Sequence, residues 1–366
     1  RVICLKLNKS TRKIISQLTE GTEDKMTSFL FRGLCIAVLM GMAGVGWPKT
    51  SSAAETKLTL VYPFPDFLVY TKNCKNLAKK INATGKGVVQ IEVLPFNSIK
   101  MFQQPPAVSK GRVDLVCTPA AFYARAIPEN EAISTASSSP MQARAAGGVA
   151  IIDGLHQKHF NMKYLGWTTG GGKFRIYMKN APKFSAAGLP DFSGVKMRDN
   201  PIYGAFLRAL KASTHNLPSS AVYGALEKGV VDASPWATIG IKGLKWDKFL
   251  RHAIEPDFYQ TDIGWAMNLA KWNGLSAKAK GILQSALINQ EKINNVQGLD
   301  LSAKERVTLI KEGMKFHSVP NSKAYLKMAV DSAYNRVAGR LKKSGRDSSH
   351  LSKLRAAYQQ SGRLRE

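Results

Sequence analysis

The chain has 366 residues and a formal net charge of +28, with 53 Lys and Arg against 25 Asp and Glu. Such a charge favours anionic partners and does not by itself choose among anionic solutes, lipid surfaces and nucleic acids. The length is enough for two lobes of ~150 residues, each with its own core. The chain has only 4 Cys, which excludes a small scaffold held together by disulfides.

A short apolar segment near the start predicts export. Met26 is the first plausible start, and residues 33–45 form an apolar run that is too short to cross a bilayer, which needs about 20 residues. Residues 52–54 (Ser-Ala-Ala) then place small side chains at the positions that a signal peptidase inspects. We expect residues 1–25 to be an upstream extension, cleavage after Ala54, and a periplasmic mature protein. A membrane anchor or a buried helix is the alternative.

Two cysteines, Cys74 and Cys117, follow the predicted cleavage site. An exported protein meets a compartment that permits disulfides, so the two are able to pair. Cys117, however, lies in the apolar strand predicted at residues 113–117, and buried free cysteines are common. On that argument we expect Cys74 and Cys117 to be unpaired.

The first half of the mature chain alternates between strands and helices. Strands are predicted at residues 57–61, 88–94, 113–117 and 164–167, and helices at 67–82, at 141–160 and in a connection that ends near Gly111. This order is typical of a largely parallel sheet covered by helices on both faces.

Three glycines, 170–172, punctuate the chain, and a second unit follows them. Its strands are predicted at residues 174–178, 191–198 and 265–269, and its helices at 203–210, 218–228, 323–343 and 351–359. Residues 276–315 contain no proline and predict one very long helix, or two helices separated near Gly298. The pattern predicts two α/β lobes with a boundary near the glycines, and clefts between such lobes are common ligand sites.

One stretch of the second unit carries a series of short motifs in a fixed order. Lys-Phe-Arg at 173–175 and Asn-Ala-Pro at 180–182 precede Leu-Pro-Asp-Phe-Ser-Gly-Val-Lys-Met-Arg at 189–198, and Asn-Pro at 200–201 follows. A helix then ends in Val-Asp at 231–232. This order resembles the periplasmic solute-binding subunits of TRAP transporters, the DctP-type family, and the resemblance extends over nearly all of residues 55–345.

The resemblance implies an α/β, two-lobed fold like that of periplasmic binding proteins, with a ligand cleft between the lobes and a long helix in the C-terminal part. Residues 1–54 would be the upstream segment and signal peptide, 55–172 with 263–366 lobe I, and 173–262 lobe II. It also implies a solute-binding subunit, with no enzymatic activity and no cofactor. Such a subunit captures a small organic carboxylate and delivers it to the small and large membrane subunits of the transporter.

Six residues are candidates for the ligand site. Arg198 matches the family arginine that clamps the substrate carboxylate, and Arg175 matches its second cleft arginine; a planar guanidinium forms two parallel hydrogen bonds with a carboxylate. Phe64, and Phe122 with Tyr123, follow strands whose loops face the crevice. Trp236 belongs to Ala-Ser-Pro-Trp at 233–236, where the family usually has Gly-Gln-Glu-Asn-Pro, and this departure leaves the substrate open. For each aromatic residue, ordinary core packing is the alternative.

Other signals are weaker. Gly-Gly-Gly-Lys at 170–173 lacks the spacing and the Ser or Thr of a phosphate-binding loop, which favours a turn or hinge. His156 and His159 have no third metal ligand nearby in sequence, and we expect them on a solvated helix face. Two further classes remain as alternatives: a nucleic-acid- or polyanion-binding protein, suggested by the basic tail 336–366, and an exported α/β enzyme. Neither class has a recognisable motif here, so we expect no nucleic-acid partner and no metal.

Overall fold

The computed structural model describes residues 54–359, which form two main β-sheets flanked by helices. The predicted leader, apart from Ala54, lies outside the described residues. Between residues 54 and 359 no helix combines the length and the apolar character needed to cross a membrane. The strands are β1 (Thr56–Val61), β2 (Val89–Val93), β3 (Leu115–Pro119), β4 (Met162–Thr169), β5 (Phe174–Met178), β6 (Lys183–Phe184), β7 (Pro190–Asp191), β8 (Lys196–Asp199), β9 (Ser213–Asn216), β10 (Ala233–Ala237), β11 (His252–Glu255), β12 (Ile263–Asn268) and β13 (Lys315–Ser318).

The helices cover the sheets and carry most of the C-terminal part of the chain. They are α1 (Val69–Thr84), α2 (Gln104–Ser109), α3 (Glu131–Ser134), α4 (Pro140–Ala145), α5 (Gly148–Phe160), α6 (Gly204–Ala209), α7 (Ser219–Glu227), α8 (Leu269–Asn273), α9 (Ala277–Lys311), α10 (Ser322–Lys343) and α11 (Leu351–Tyr358). Short 3₁₀ turns lie at Met101–Gln103, Ala120–Tyr123, Pro128–Asn130 and Trp246–Lys248.

The first sheet has the strand order β2-β1-β3-β12-β4. Strand β1 runs parallel to β2 and β3, as the sequence predicts. Strand β12 is antiparallel to both β3 and β4 because it enters from the second sheet. The expected largely parallel sheet therefore exists only in its first three strands. All five residues of β3 are buried, which is typical of a strand covered on both faces.

The second sheet has the order β13-β11-β5-β10-β8-β9. Strands β10 and β11 lie antiparallel to β5, and β8 lies parallel to β10 and β9. The chain crosses between the sheets from β4 to β5, from β11 to β12, and again from α9 to β13. Strand β13 pairs with β11 in this sheet although it lies within residues 263–366, the segment expected to return to lobe I.

Several predicted helix boundaries change in the structure. The helix expected at residues 141–160 is two helices, α4 and α5, because Gly147 adopts a φ of 80° between them. Helix α9 is continuous through Gly298, and its first turn is capped by the Ser276 side chain, which accepts a hydrogen bond from the Ala279 amide at 3.2 Å. The strands β6, β9, β10, β11 and β13 were not predicted.

Gly298 marks the place where the first crossing passes over α9. A Cβ atom on Gly298 would lie 2.5 Å from the carbonyl oxygen of Gly170 and 2.9 Å from the amide nitrogen of Gly172. Gly171, in the same crossing, has a φ of +81°. The glycines of the crossing and of the helix therefore allow two backbones to touch, and Gly298 does not end the helix.

The face of α9 that meets this crossing is polar as well as buried. Asn294 donates a hydrogen bond from Nδ2 to the carbonyl oxygen of Thr168 at 2.6 Å, and Glu291 accepts one from the Trp167 amide at 3.0 Å. Glu291 also pairs with Arg144 through two hydrogen bonds of 2.7 and 2.6 Å. Strand β4 lies at the edge of the first sheet, and these side chains bond to backbone groups near its end.

Replacing Gly298 with alanine is expected to lower the free energy of unfolding by about 1–3 kcal/mol, because the added methyl group meets backbone that has no room to move. Gly281→Ala, in the same helix, is the matched control. A Cβ atom at Gly281 meets no other atom within 4 Å, and alanine there is expected to stabilise the helix by up to about 1 kcal/mol. Urea unfolding of both variants measures the difference. Equal effects at the two positions would contradict the close contact.

Cys74 on α1 and Cys117 on β3 form a disulfide, with Cα atoms 6.2 Å apart. The expectation that they are unpaired is wrong. Both cysteines are buried in the core that α1 shares with the first sheet. Burial was a poor argument against pairing, because a disulfide sulfur is buried as readily as a free thiol.

Two other expectations change in the same lobe. His156 does not lie on a solvated face: it is fully buried, with Nδ1 2.7 Å from the carbonyl oxygen of Ile152. Burial lowers the pKa of His156 to about 4, so its ring is neutral at pH 7. In the basic tail, Arg336 and Arg340 pair with the buried carboxylate of Glu131 at 2.7 and 3.0 Å. Two arginines of the basic tail therefore pair with a buried carboxylate of the protein itself.

Candidate ligand-binding cleft

A small cavity lies where the two sheets face each other. It has a volume of about 30 Å³, roughly the room of two waters. The loops after β1 and β3 approach it from the first sheet, and the ends of β8 and β10 approach it from the second. Ligands in α/β folds commonly bind at the carboxyl ends of strands. The lining residues are Phe64, Tyr70, Met101, Pro119, Phe122, Phe174, Arg198, Asn200, Ile202, Trp236, Ala237, Thr261, Asp262 and Ile263.

Arg198, on β8, is the cationic side chain of this cavity and is only 2% exposed. Its Nε donates a hydrogen bond to the carbonyl oxygen of Leu217 at 3.0 Å, and its Nη1 donates to the hydroxyl of Tyr203. Neither partner carries a negative charge, since burial raises the pKa of Tyr203 above its usual range. The two bonds leave Nη2 of a desolvated guanidinium for another group. Asp199 acts on this charge without bonding to it, and an anion in the cavity would pair with the guanidinium directly.

Aromatic rings hold the guanidinium of Arg198 and form the apolar wall of the cavity. The guanidinium carbon lies 6.0 Å from the ring centroids of both Trp236 and Trp246. The ring of Phe64 packs edge-on against Phe122 and Trp236, with centroid separations of 6.0 and 6.2 Å. Rings from both lobes therefore meet here, and they exclude water from around the charge.

Asp262 is the acidic residue of the cavity and precedes β12, at the second crossing between the sheets. It is 1% exposed, and its Oδ2 accepts a hydrogen bond from the Ala121 amide at 2.8 Å. Among the described residues no donor reaches its Oδ1. Burial raises the pKa of Asp262 to about 7, and the backbone amides of Ala121 and of Asp262 itself oppose part of that shift.

Arg175 does not line this cavity. It is 4% exposed and forms a two-bond pair with Asp257, at 2.6 and 2.9 Å, and a further ion pair with Glu255 at 3.1 Å. Its guanidinium carbon lies 4.9 Å from the centroid of the Phe316 ring. The expected second arginine of the ligand cleft is thus neutralised by carboxylates of its own protein, at the sheet edge where β11 meets β13.

Tyr123 also faces away from the small cavity. Its hydroxyl lies 3.0 Å from Nε2 of His156, and its ring stacks on Phe160 at a centroid separation of 5.7 Å. These contacts belong to the helix-covered core behind the first sheet. Of the six residues predicted for the site, Phe64, Phe122, Arg198 and Trp236 line the small cavity, Tyr123 lines only the larger cavity beside it, and Arg175 lines neither.

A larger cavity of about 560 Å³ adjoins the small one, and Phe122 and Asn200 line both. Its wall is basic: it carries Arg125, Arg208, Arg336 and Arg340, of which Arg208 pairs with Asp199 and the last two share the buried carboxylate of Glu131. A concave surface with this charge raises the local concentration of small anions. The approach to Arg198 from this side is therefore electrostatically favourable for an acid.

Sequence reasoning missed three polar or aromatic members of the site. Asn200 belongs to the Asn-Pro motif at 200–201, to which no role was assigned. Trp246 lies in a short turn for which the sequence predicted no structure and no function. Asp262 had one: it is a lone carboxylate directly before the apolar strand β12, at a point where the chain changes sheets. Its position opposite Arg198 depends on how the sheets pack and was not visible in the sequence.

Comparison with known proteins places this geometry in a family. The model for bacterial extracellular solute-binding protein family 7, DctP, matches residues 65–340. A monocarboxylate 2-oxoacid-binding periplasmic protein of Nostoc sp. is 23% identical over 313 residues, covering 80% of this chain and 78% of the relative.

Solved structures show the same fold. An extracytoplasmic solute receptor of Bordetella pertussis that binds pyroglutamic acid superposes with a TM-score of 0.69 at 17% identity, covering 83% of this chain and 99% of the receptor. A TRAP periplasmic solute-binding protein of Desulfovibrio desulfuricans with bound sn-glycerol-3-phosphate gives 0.70 at 17% identity, covering 84% and 99%. The predicted two-lobed fold with its long C-terminal helix is confirmed. The chain belongs to bacterial extracellular solute-binding protein family 7, the DctP-type solute-binding proteins of TRAP transporters.

Proposed function

We propose that this protein captures a small organic carboxylate outside the cytoplasm and delivers it to the membrane subunits of a TRAP transporter. The observation that carries the proposal is the burial of Arg198 and the neutral character of its hydrogen-bond partners. A guanidinium that is 2% exposed, ringed by aromatic side chains and bonded only to neutral oxygens, is suited to an anionic ligand.

The size of the cavity indicates how the ligand enters. A volume of about 30 Å³ is too small for an organic acid, so the lobes must separate for a ligand to reach Arg198. Residues of both sheets line the cavity, and a ligand contacts all of them only when the lobes are closed. Ligand binding therefore stabilises the closed arrangement.

Export is part of the proposal. The predicted leader, with cleavage after Ala54, would send the protein to the periplasm. The disulfide between Cys74 and Cys117 supports this location, because disulfides form and persist in oxidising compartments. Capture in the periplasm and delivery to a permease require no chemistry on the ligand, so we propose no catalytic role.

Relatives of this fold differ in the acidic group that they bind. The Bordetella receptor binds pyroglutamic acid, the Nostoc relative is named for 2-oxo acids, and the Desulfovibrio protein holds sn-glycerol-3-phosphate. We favour a carboxylate for this chain because a planar guanidinium that keeps Nη2 for a ligand matches a planar anion.

Mass spectrometry of the molecules released when the purified protein is denatured will identify a retained ligand. Calorimetric titration then compares each acid found with its methyl ester and with sn-glycerol-3-phosphate. We expect the free acid to bind and the ester to bind at least about thirtyfold more weakly, since it lacks the charge that Arg198 requires. Equal affinity for acid and ester, or stronger binding of the phosphate compound, would contradict the proposal.

A further inference from the structure

Asp262 offers the cavity a chemical group that a simple carboxylate does not use. Of the described residues that line the small cavity, Asp262 alone carries a carboxyl group. Its Oδ2 is held by the Ala121 amide, whereas its Oδ1 has no donor among the described residues. A buried polar oxygen of this kind normally has a hydrogen-bond partner, and each exception needs an explanation.

Neighbouring charges do not supply that partner. The hydrogen bonds of Arg198 go to Leu217 and Tyr203, so the cation of the cavity does not pair with Asp262. The carboxylate and the guanidinium thus lie in one small cavity as separate recognition groups. An anion at Arg198 leaves Asp262 to meet a different part of the same ligand.

We propose that Asp262 accepts a hydrogen bond from an N–H or O–H group of the bound acid, and that this contact defines the ligand class. The ligands are then small carboxylates that carry a donor beside the acid group, such as 2-hydroxy acids, 2-amino acids and cyclic amides. This inference rests on the proposed function, because it takes the carboxylate to be held by Arg198.

Acids without a donor fit the same cavity poorly. A plain aliphatic acid leaves Oδ1 of Asp262 buried without a partner. A 2-oxo acid turns a carbonyl oxygen towards a carboxylate oxygen, so that two acceptors face each other. A site built around a hydrogen bond rejects analogues that lack it far more strongly than an apolar pocket rejects a missing methylene.

The Ala121 amide makes Asp262→Asn an informative variant. The amide N–H fixes an acceptor at the Oδ2 position, so the side-chain oxygen of asparagine takes that place and its NH₂ group replaces Oδ1. The substitution keeps the shape and exchanges an acceptor for a donor. It is expected to reverse the preference of the site and to keep the contact that positions the side chain.

Two matched pairs of acids test the idea by calorimetric titration at pH 8. Lactate, as both enantiomers, is compared with pyruvate, and 5-oxopyrrolidine-2-carboxylate with its ring-oxygen analogue, 5-oxotetrahydrofuran-2-carboxylate. We expect the wild type to prefer the donor-bearing member of a pair by at least about tenfold, and Asp262→Asn to prefer the other member. The inference is overturned if the wild type binds both acids of a pair equally well. It is also overturned if Asp262→Asn leaves the ratio of the two affinities unchanged.

A pH series on the wild type gives the same information without a variant. The titratable groups near Asp262 are the hydroxyls of Tyr123 and Tyr164, and burial raises both pKa values so that they stay neutral. Cys117 is held in the disulfide, and Arg198 is the cation of the same cavity. Because burial raises the pKa of Asp262 to about 7, acidification from pH 8 to pH 6 protonates it and turns Oδ1 into a donor. The preference for donor-bearing acids is expected to fall over that range. A ratio of affinities within a matched pair that does not change with pH counts against the inference.

The two proposals fail in different ways. One outcome is that Arg198→Lys abolishes acid binding, while neither Asp262→Asn nor pH alters the ratio of affinities within a matched pair of acids. The proposed function then stands, and the role of Asp262 is overturned. If no acid binds the wild type at millimolar concentration, the proposed function is overturned, and the ligand class falls with it.

Discussion

Arg198→Lys is expected to weaken ligand binding by about 30-fold to several thousandfold, although it keeps the positive charge. Removing one partner of a buried, hydrogen-bonded charge pair costs roughly 2–5 kcal/mol, and about 1.4 kcal/mol corresponds to a tenfold change in affinity. A lysine ammonium cannot reach the Leu217 carbonyl, the Tyr203 hydroxyl and a ligand carboxylate from one planar group, as Arg198 does. Calorimetric titration measures the loss.

The substitution is also expected to lower the stability of the folded protein, because Arg198 is 2% exposed and forms hydrogen bonds with two partners. Binding is therefore measured on protein whose folding has been checked by thermal unfolding. Arg208→Lys is the matched control: its side chain is 55% exposed and pairs with Asp199 at 3.3 Å, and exposed pairs contribute at most about 1 kcal/mol. We expect the control to bind within about threefold of the wild type. Similar binding by Arg198→Lys would place the carboxylate anchor elsewhere.

The sequence predicts the regular part of the fold well. The strands and helices of the first lobe alternate with clear hydrophobic periods, and the long helix α9 has an unbroken pattern and a serine cap at its start. The sequence left open whether Gly298 lies inside that helix or separates two helices. Only the packed structure shows Gly170 and Gly172 against it, and glycine in a sequence indicates either a break or a close contact.

Four of the six candidate residues line the small cavity, and Arg175 and Tyr123 do not. Arg198, Trp236, Phe64 and Phe122 converge because the ends of parallel strands meet at one edge, which is a rule of topology. Arg175 carries the right side chain on a neighbouring strand, yet Asp257 neutralises it through a contact across 82 positions in sequence. Motif position indicates which residue type is present. It does not indicate whether that side chain pairs with another residue of the protein or remains available to a ligand.

Loss of the disulfide between Cys74 and Cys117 is expected to lower the free energy of unfolding by about 4 kcal/mol. The bridge closes a loop with a sequence separation of 43, and in the chain-entropy account a loop of this size restricts the unfolded chain by that amount. It joins α1 to β3 within the core that the helix shares with the first sheet. Urea unfolding of the wild type with and without reductant measures the effect, because reduction keeps both sulfur atoms in the core.

The double variant Cys74→Ala, Cys117→Ala completes the comparison. Its stability should not respond to reductant, and it should lie somewhat below the reduced wild type, because it also loses two buried sulfur atoms. Ligand affinity should stay within about threefold of the wild type, since neither cysteine lines the cavity. Peptide mapping after alkylation of unreduced, unfolded protein tests the bond itself. Full alkylation of the peptides that contain Cys74 and Cys117 would show free thiols, and the wild type would then unfold at the same urea concentration with and without reductant.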